Sequence, residues 1–80
     1  MNINELQKYK NLGRNSNISY YEKGINFIRV MFSDNSVYLY TNESAGSNNI
    51  SQMILLADFG SGLNAFINKY VKKKYFRKER

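Results

Sequence analysis

Seven cations and three aromatic rings crowd the last twelve residues of this 80-residue chain. Lys69, Lys72, Lys73, Lys74, Arg77, Lys78 and Arg80 can neutralise phosphates and release their counterions. Tyr70, Tyr75 and Phe76, interleaved with them, offer flat faces on which unpaired bases stack. The same run also suits a helix end, where cations oppose the negative pole of the macrodipole. Either way the charge is local. The chain has 12 Lys plus Arg against 6 Asp plus Glu, a net +6. Residues 1–68 carry five of each sign, so the whole excess lies in residues 69–80, with seven cations and Glu79 alone.

Two further groups of residues could bind a ligand. Gly60, Ser61, Gly62 and Asn64 stand where one helix gives way to the next, and free amides there could meet a small phosphate, with a Lys or Arg of the tail nearby. Packing explains the same residues: Gly60 ends one helix and Gly62 lets the next approach closely. Tyr38 and Tyr40 share a strand face and belong to the core. Their hydroxyls need partners, for which Asn64 is one candidate; alternatively, one hydroxyl lines a pocket at the loop 42–49 end of the sheet.

Conventional catalysis is poorly provided for. The chain has no Cys and no His, so there is no thiolate, imidazole base or His-ligated metal. The six carboxylates are scattered, and Asp58 near Ser61 and Lys69 is the one polar cluster expected. No catalytic residue, metal or cofactor is assigned.

These residues need elements to hold them. Ile3, Leu6, Tyr9 or Lys10, and Leu12 fall near helical spacing, with Gly13 as a stop, and predict a short N-terminal helix. Ile18 and Tyr20 alternate with Ser19 and Tyr21 in a first strand. Ile28, Val30 and Phe32 alternate with Phe27, Arg29 and Met31 in a second, and Val37 to Thr41 forms a third. Ser33 to Ser36 reads as a tight turn, since Asp and Asn tolerate the left-handed conformation. After a polar loop over 42–49, Asn49 caps a helix from Ile50 to Asp58, with Gln52 completing a capping box. Ser61 caps a second, Gly62 to Phe76, whose buried stripe includes Leu63, Phe66, Ile67, Tyr70 and Val71. The expected fold is α+β: a three-stranded antiparallel β-meander followed by two packed helices, with an extra N-terminal helix.

On this reading Tyr21, Phe27, Met31, Val37 and Leu39 point away from the helices. That is much apolar surface for a monomer to leave in water. Either the N-terminal helix covers it or a second subunit does, and a homo-oligomer is expected.

The order of features resembles the KTSC family, a small domain found at the C-terminus of some lysyl-tRNA synthetases and as free-standing bacterial and phage proteins. The residues that carry the resemblance are Ser16, Asn17, Ile18 and Tyr20, then Ile28, Val30 and Phe32, then Tyr38 and Tyr40. The Met53 to Ala57 helix, Gly60, Leu63, Asn64 and Ile67, and the aromatic-basic stretch Tyr70 to Tyr75 complete it. It divides the chain into an N-terminal extension (1–15), a KTSC-like domain (16–76) and a basic C-terminal end (77–80). Leu63 and Lys69 depart from the family's usual Phe and Arg, and the family's frequent Pro is absent. The association with a tRNA-charging enzyme implies RNA contact by analogy.

The expected function is a non-enzymatic binding module for nucleic acid, RNA favoured, or another phosphate-rich ligand, using Lys69, Lys72, Lys73, Lys74, Tyr75, Phe76, Arg77, Lys78 and Arg80. The alternative is a small phage or bacterial protein that oligomerises and inhibits a host protein such as a nuclease, or sequesters a small nucleotide signal. Heavy use of Asn, Ile, Lys and Tyr fits an AT-rich source. No apolar run approaches the roughly 20 residues of a membrane span, and no signal-like apolar stretch opens the chain, so a cytoplasmic location is expected.

Overall fold

Branched and aromatic residues in alternation build one sheet of five strands, not three. In the computed structural model, which describes residues 6–80, β1 (Gln7–Lys8), β2 (Ile18–Lys23), β3 (Phe27–Phe32), β4 (Val37–Thr41) and β5 (Arg77–Lys78) follow in the order β1-β2-β3-β4-β5. All neighbours are antiparallel. The α+β class and the central meander are as expected; the two outer strands are not.

The first outer strand replaces the expected N-terminal helix. Residues 2–5 of that helix lie outside the described residues. Gln7 and Lys8 pair with Tyr21 and Tyr20, and the Tyr9 amide donates to the Ser19 carbonyl at 2.9 Å. An isolated helix this short is marginal in water, whereas edge pairing satisfies the backbone and buries Tyr9 in the core. The second outer strand is the basic end itself. Without it β4 would present a row of unpaired amides and carbonyls. Phe76 and Glu79 amides donate to Leu39 and Val37 carbonyls at 2.6 and 2.7 Å, and the Val37 amide donates to Arg80 at 3.0 Å.

A bulge in β2 changes which residues face the core. Ile18 pairs with Phe32 but Tyr20 pairs with Met31, so Ser19 is the extra residue. Its hydroxyl donates to the Met31 carbonyl at 3.2 Å. The slip puts Ile18 and Tyr21 together on the core face with Ile28, Val30 and Tyr40. Tyr21 was expected on the outer face and is a core residue. Met31, Val37 and Leu39 do lie on the outer face, yet they are buried within one chain, and Phe27 is half-buried. The exposed apolar surface from which self-association was expected is therefore not present at Met31, Val37 and Leu39.

Turns follow local chemistry. Asn35 takes the left-handed conformation in the β3–β4 turn (φ 72°), as expected there. Gly24 begins the β2–β3 turn, where a Cβ would lie 2.1 Å from the Phe27 ring. Beyond β4 the chain enters helix at once, where a loop over 42–49 was expected. Thr41 and Ser44 exchange side-chain and backbone hydrogen bonds at 3.0 and 3.1 Å, a capping box for α1 (Asn42–Ala45). The next helix, α2 (Ser47–Phe59), starts before Asn49, so Asn49 is not its cap; its amide instead donates to the Ala45 carbonyl. Ile50, Met53 and Ala57 bury the face that periodicity predicts. Gly60 ends α2 with left-handed backbone, in contact with the Lys10 side chain.

The last helix is shorter than expected. It runs as α3 (Leu63–Phe66), capped by Gly62 without a Ser61 hydrogen bond, and widens into a π-turn over Ile67–Val71. Leu63, Ile67 and Val71 enter the core; Tyr70 stays exposed. Helix to Phe76 was expected, but the chain turns at Lys72 and Lys73 so that it can return along β4. No helix of the described residues is long and apolar enough to cross a membrane.

Candidate functional site

The reversal of the chain between the π-turn and β5 brings two tail lysines against the end of the sheet. A cleft of about 540 Å³ opens there. Phe32, Tyr38 and Tyr40 from β3 and β4 line it, with Asn17, Ser33, Asp34 and Ser36 from the neighbouring loops. Ile67, Lys72, Lys73 and Tyr75 complete its wall. The rings form one continuous edge-to-face series. Phe32 meets Tyr38 at 5.7 Å, Tyr38 meets Tyr75 at 4.9 Å, and Tyr75 meets Tyr40 at 6.4 Å between centroids.

Tyr40 is the most informative member. Its side chain is 1% exposed, and its hydroxyl has no hydrogen-bond partner among the described residues. No described side-chain polar atom that is wholly shut off from solvent lacks a partner. The Tyr40 oxygen must therefore open on the cleft. Burial, then the nearby Tyr38 and Tyr75, push its pKa up to about 12, so at neutral pH it is a hydrogen-bond donor. Asn64, one candidate partner for the Tyr38 and Tyr40 hydroxyls, bonds neither of them among the described residues. The cleft also lies at the Ser33–Ser36 turn rather than at the 42–49 end of the sheet.

The charge around the cleft is uncompensated from within. Lys72 and Lys73 form no ion pair among the described residues, with Asp34 or any other carboxylate. Asp34 accepts the Ser36 amide at 2.9 Å and its hydroxyl at 2.6 Å through Oδ1. Those two bonds hold its carboxyl below the ordinary carboxylate range.

The remaining tail residues are dispersed. Lys69 lies 5.3 Å from the Tyr70 ring and Lys78 5.7 Å from the Tyr38 ring. Lys74 is exposed outside the cleft, and Phe76 lies under the Arg77 guanidinium at 5.6 Å. Arg77 itself is on the outer sheet face, where its Nε donates to Glu79 at 3.0 Å. Glu79 also accepts Arg29 Nε at 2.7 Å and Nη2 at 3.3 Å, and Arg29 Nη1 reaches the buried Glu22 at 3.1 Å. These bonds lower the pKa of Glu79 and raise that of Arg29. Arg80 borders the same face beside Met31 and Val37. The tail is therefore spread over more than one place, and the nine expected binding residues are not gathered around one cleft.

Comparison with known proteins adds no relative: no family model, no curated protein and no solved structure matches the chain. The chemistry of the site has to be judged from its own residues.

The expected phosphate site at Gly60, Ser61, Gly62 and Asn64 has Lys10 beside Gly60, but no tail cation lines the pocket formed by the other three residues. Ser61, Gly62 and Asn64 line a pocket of about 380 Å³ with Asn15, Ser16, Ala65 and Asn68, and none of these is a cation. The Leu63 amide there already lies 3.4 Å from the Tyr9 hydroxyl. Asp58 also has a different role from the one expected. It accepts the Tyr21 hydroxyl at 2.7 Å and Lys23 at 2.6 Å, tying α2 to β2, and its pKa is lowered by these bonds.

Sequence reasoning missed Phe32 and Asp34 as site residues and read Tyr40 mainly as core. The signal for Asp34 was its place in the turn, which brings it beside Phe32 and Tyr38. The signal for Tyr40 was weaker, because a core tyrosine and a cleft tyrosine occupy the same alternating position.

Proposed function

We propose that this chain is a non-enzymatic binding module for phosphate-bearing ligands, RNA foremost, and that Lys72, Lys73, Tyr75 and Tyr40 bind it. Kinship with the KTSC domains is part of the same proposal. The observation that carries it is the Tyr40 hydroxyl, without a partner among the described residues, opening on a cleft edged by two lysines that form no ion pair among those residues. A hydroxyl that opens on the cleft is free to donate to what occupies it, and the oxygens of an anionic ligand would accept. Two ammonium groups supply attraction at longer range, and the exposed Tyr75 ring supplies a stacking surface. The other tail cations contribute general positive potential only.

Fluorescence anisotropy with a labelled single-stranded RNA octamer, repeated across salt concentrations, tests this reading. Single-strand binding loses affinity with a log–log slope of roughly −0.7 per phosphate contacted. Lys72→Ala combined with Lys73→Ala should weaken binding and reduce the slope by about 1.4. An unchanged affinity and slope would move the site elsewhere.

A further inference from the structure

Lys72 and Lys73 stand where the π-turn ends, whereas Asp34 stands on the β3–β4 turn, and the two are not ion-paired. Asp34 holds the β3–β4 turn through Ser36, and its carboxylate would also repel a ligand that was anionic throughout. A nucleotide, by contrast, has an anionic phosphate at one end and a base with hydrogen-bonding edges at the other.

Asp34 is suited to the base end. Its Oδ1 is occupied by Ser36, and Oδ2 has no partner among the described residues. The two Ser36 bonds fix the carboxylate in place and keep it ionised, with a weaker pull from Lys78. An ionised carboxylate only accepts hydrogen bonds. Phe32 and Tyr38 lie beside it in the same wall, providing apolar surface for a ring. Ser33 and Asn17 add further polar groups around that end. The volume of about 540 Å³ is of the size that small-ligand sites have.

We infer that the cleft holds one nucleotide unit whose base carries an exocyclic amino group, with Asp34 Oδ2 accepting from that amine. The inference rests on the phosphate-binding reading of Lys72, Lys73 and Tyr40. Cytosine and uracil make the sharpest contrast. Cytosine offers an N4 amine, a known partner of carboxylates, where uracil presents a carbonyl oxygen that a carboxylate repels.

Anisotropy titrations of labelled oligocytidine and oligouridine octamers against the full chain and its Asp34→Asn variant test the assignment. The Asn retains an oxygen for Ser36 and replaces the free acceptor with a donor. The wild-type chain should bind oligocytidine about tenfold more tightly than oligouridine, and the variant should lose or reverse that preference without losing oligouridine binding. Equal affinities in the wild type, or a preference that survives in the variant, would overturn the Asp34 contact while leaving the phosphate site standing. Binding of neither octamer would overturn the site itself. Competition with CMP separates the two sources of this chemistry. Displacement of the oligocytidine probe assigns the cleft to a free nucleotide; a retained cytidine preference without displacement assigns it to a strand. Either result supports the contact.

Discussion

The tail supplies cations to two places, and they meet opposite fates. On the outer sheet face Arg77 is bonded to Glu79, which also grips Arg29, and Arg29 reaches the buried Glu22. At the cleft Lys72 and Lys73 have no carboxylate within ion-pair distance among the described residues. Charge satisfied within the chain holds the chain together, whereas lysines beside a hydroxyl that opens on the cleft are available to a ligand. Counting the tail as seven equal cations conceals this. The planar guanidinium forks bond Glu79, twice over in the case of Arg29, while the lysines remain solvated at the turn.

The comparison can be broken most forcefully on the outer face. Arg29→Met keeps an apolar stem against the sheet but removes the guanidinium that joins Glu22 to Glu79. Denaturant unfolding should show a loss of about 3 kcal/mol, the cost of breaking a largely buried ion pair. RNA affinity measured on the folded fraction should change little. A variant as stable as the wild type would mean that the network is ornamental and that hydrogen bonding alone holds β5.

Tyr75→Ala probes the other side. Removing the stacking wall should cost about 2 kcal/mol of RNA binding, roughly thirtyfold. The fold should persist, because Tyr75 is exposed and its backbone is not part of β5. If affinity is retained, the lysines bind by charge alone and the aromatic series is only packing.

The smallest expected effect is on acid stability. Glu79 has a folded pKa below its ordinary 4.5, so its contribution to stability is present above pH 4.5 and is lost as pH falls through the folded value. Arg29 stays charged throughout that range. Glu79→Gln should therefore unfold with a shallower dependence on pH below 4.5 than the wild type. Asp58, lowered by Lys23 and Tyr21, leaves a residual slope in the variant.

Much of the sheet was legible because alternation of branched and aromatic residues has a plain physical cause. The two faces of β3 and β4 follow from it, while the left-handed Asn35 follows from turn chemistry and the buried stripe of α2 from the helical period. What was not legible came from long-range pairing. Nothing local in Arg77 and Lys78 says that they will satisfy the edge of β4, and a run of lysines after an amphipathic stretch looks like continued helix. The single extra residue at Ser19 reversed the face assigned to Tyr21, since a slip of one residue in a strand exchanges its two faces. For the site, charge and aromatic content were visible in the tail, and Lys72, Lys73 and Tyr75 were among the residues named. Their separation from Arg77 and Arg80 depends on where the chain turns. Tyr40 and Asp34 join them only through the fold.

The distinction between the two regions is tested most directly by a nitrogen–proton NMR titration of the full chain with a single-stranded RNA octamer. The amide shifts of Asp34, Tyr40, Lys72, Lys73 and Tyr75 should move together and saturate with one affinity, while those of Arg29, Arg77 and Glu79 stay in place. Shifts centred on Arg29, Arg77 and Arg80, with the cleft unmoved, would contradict the account.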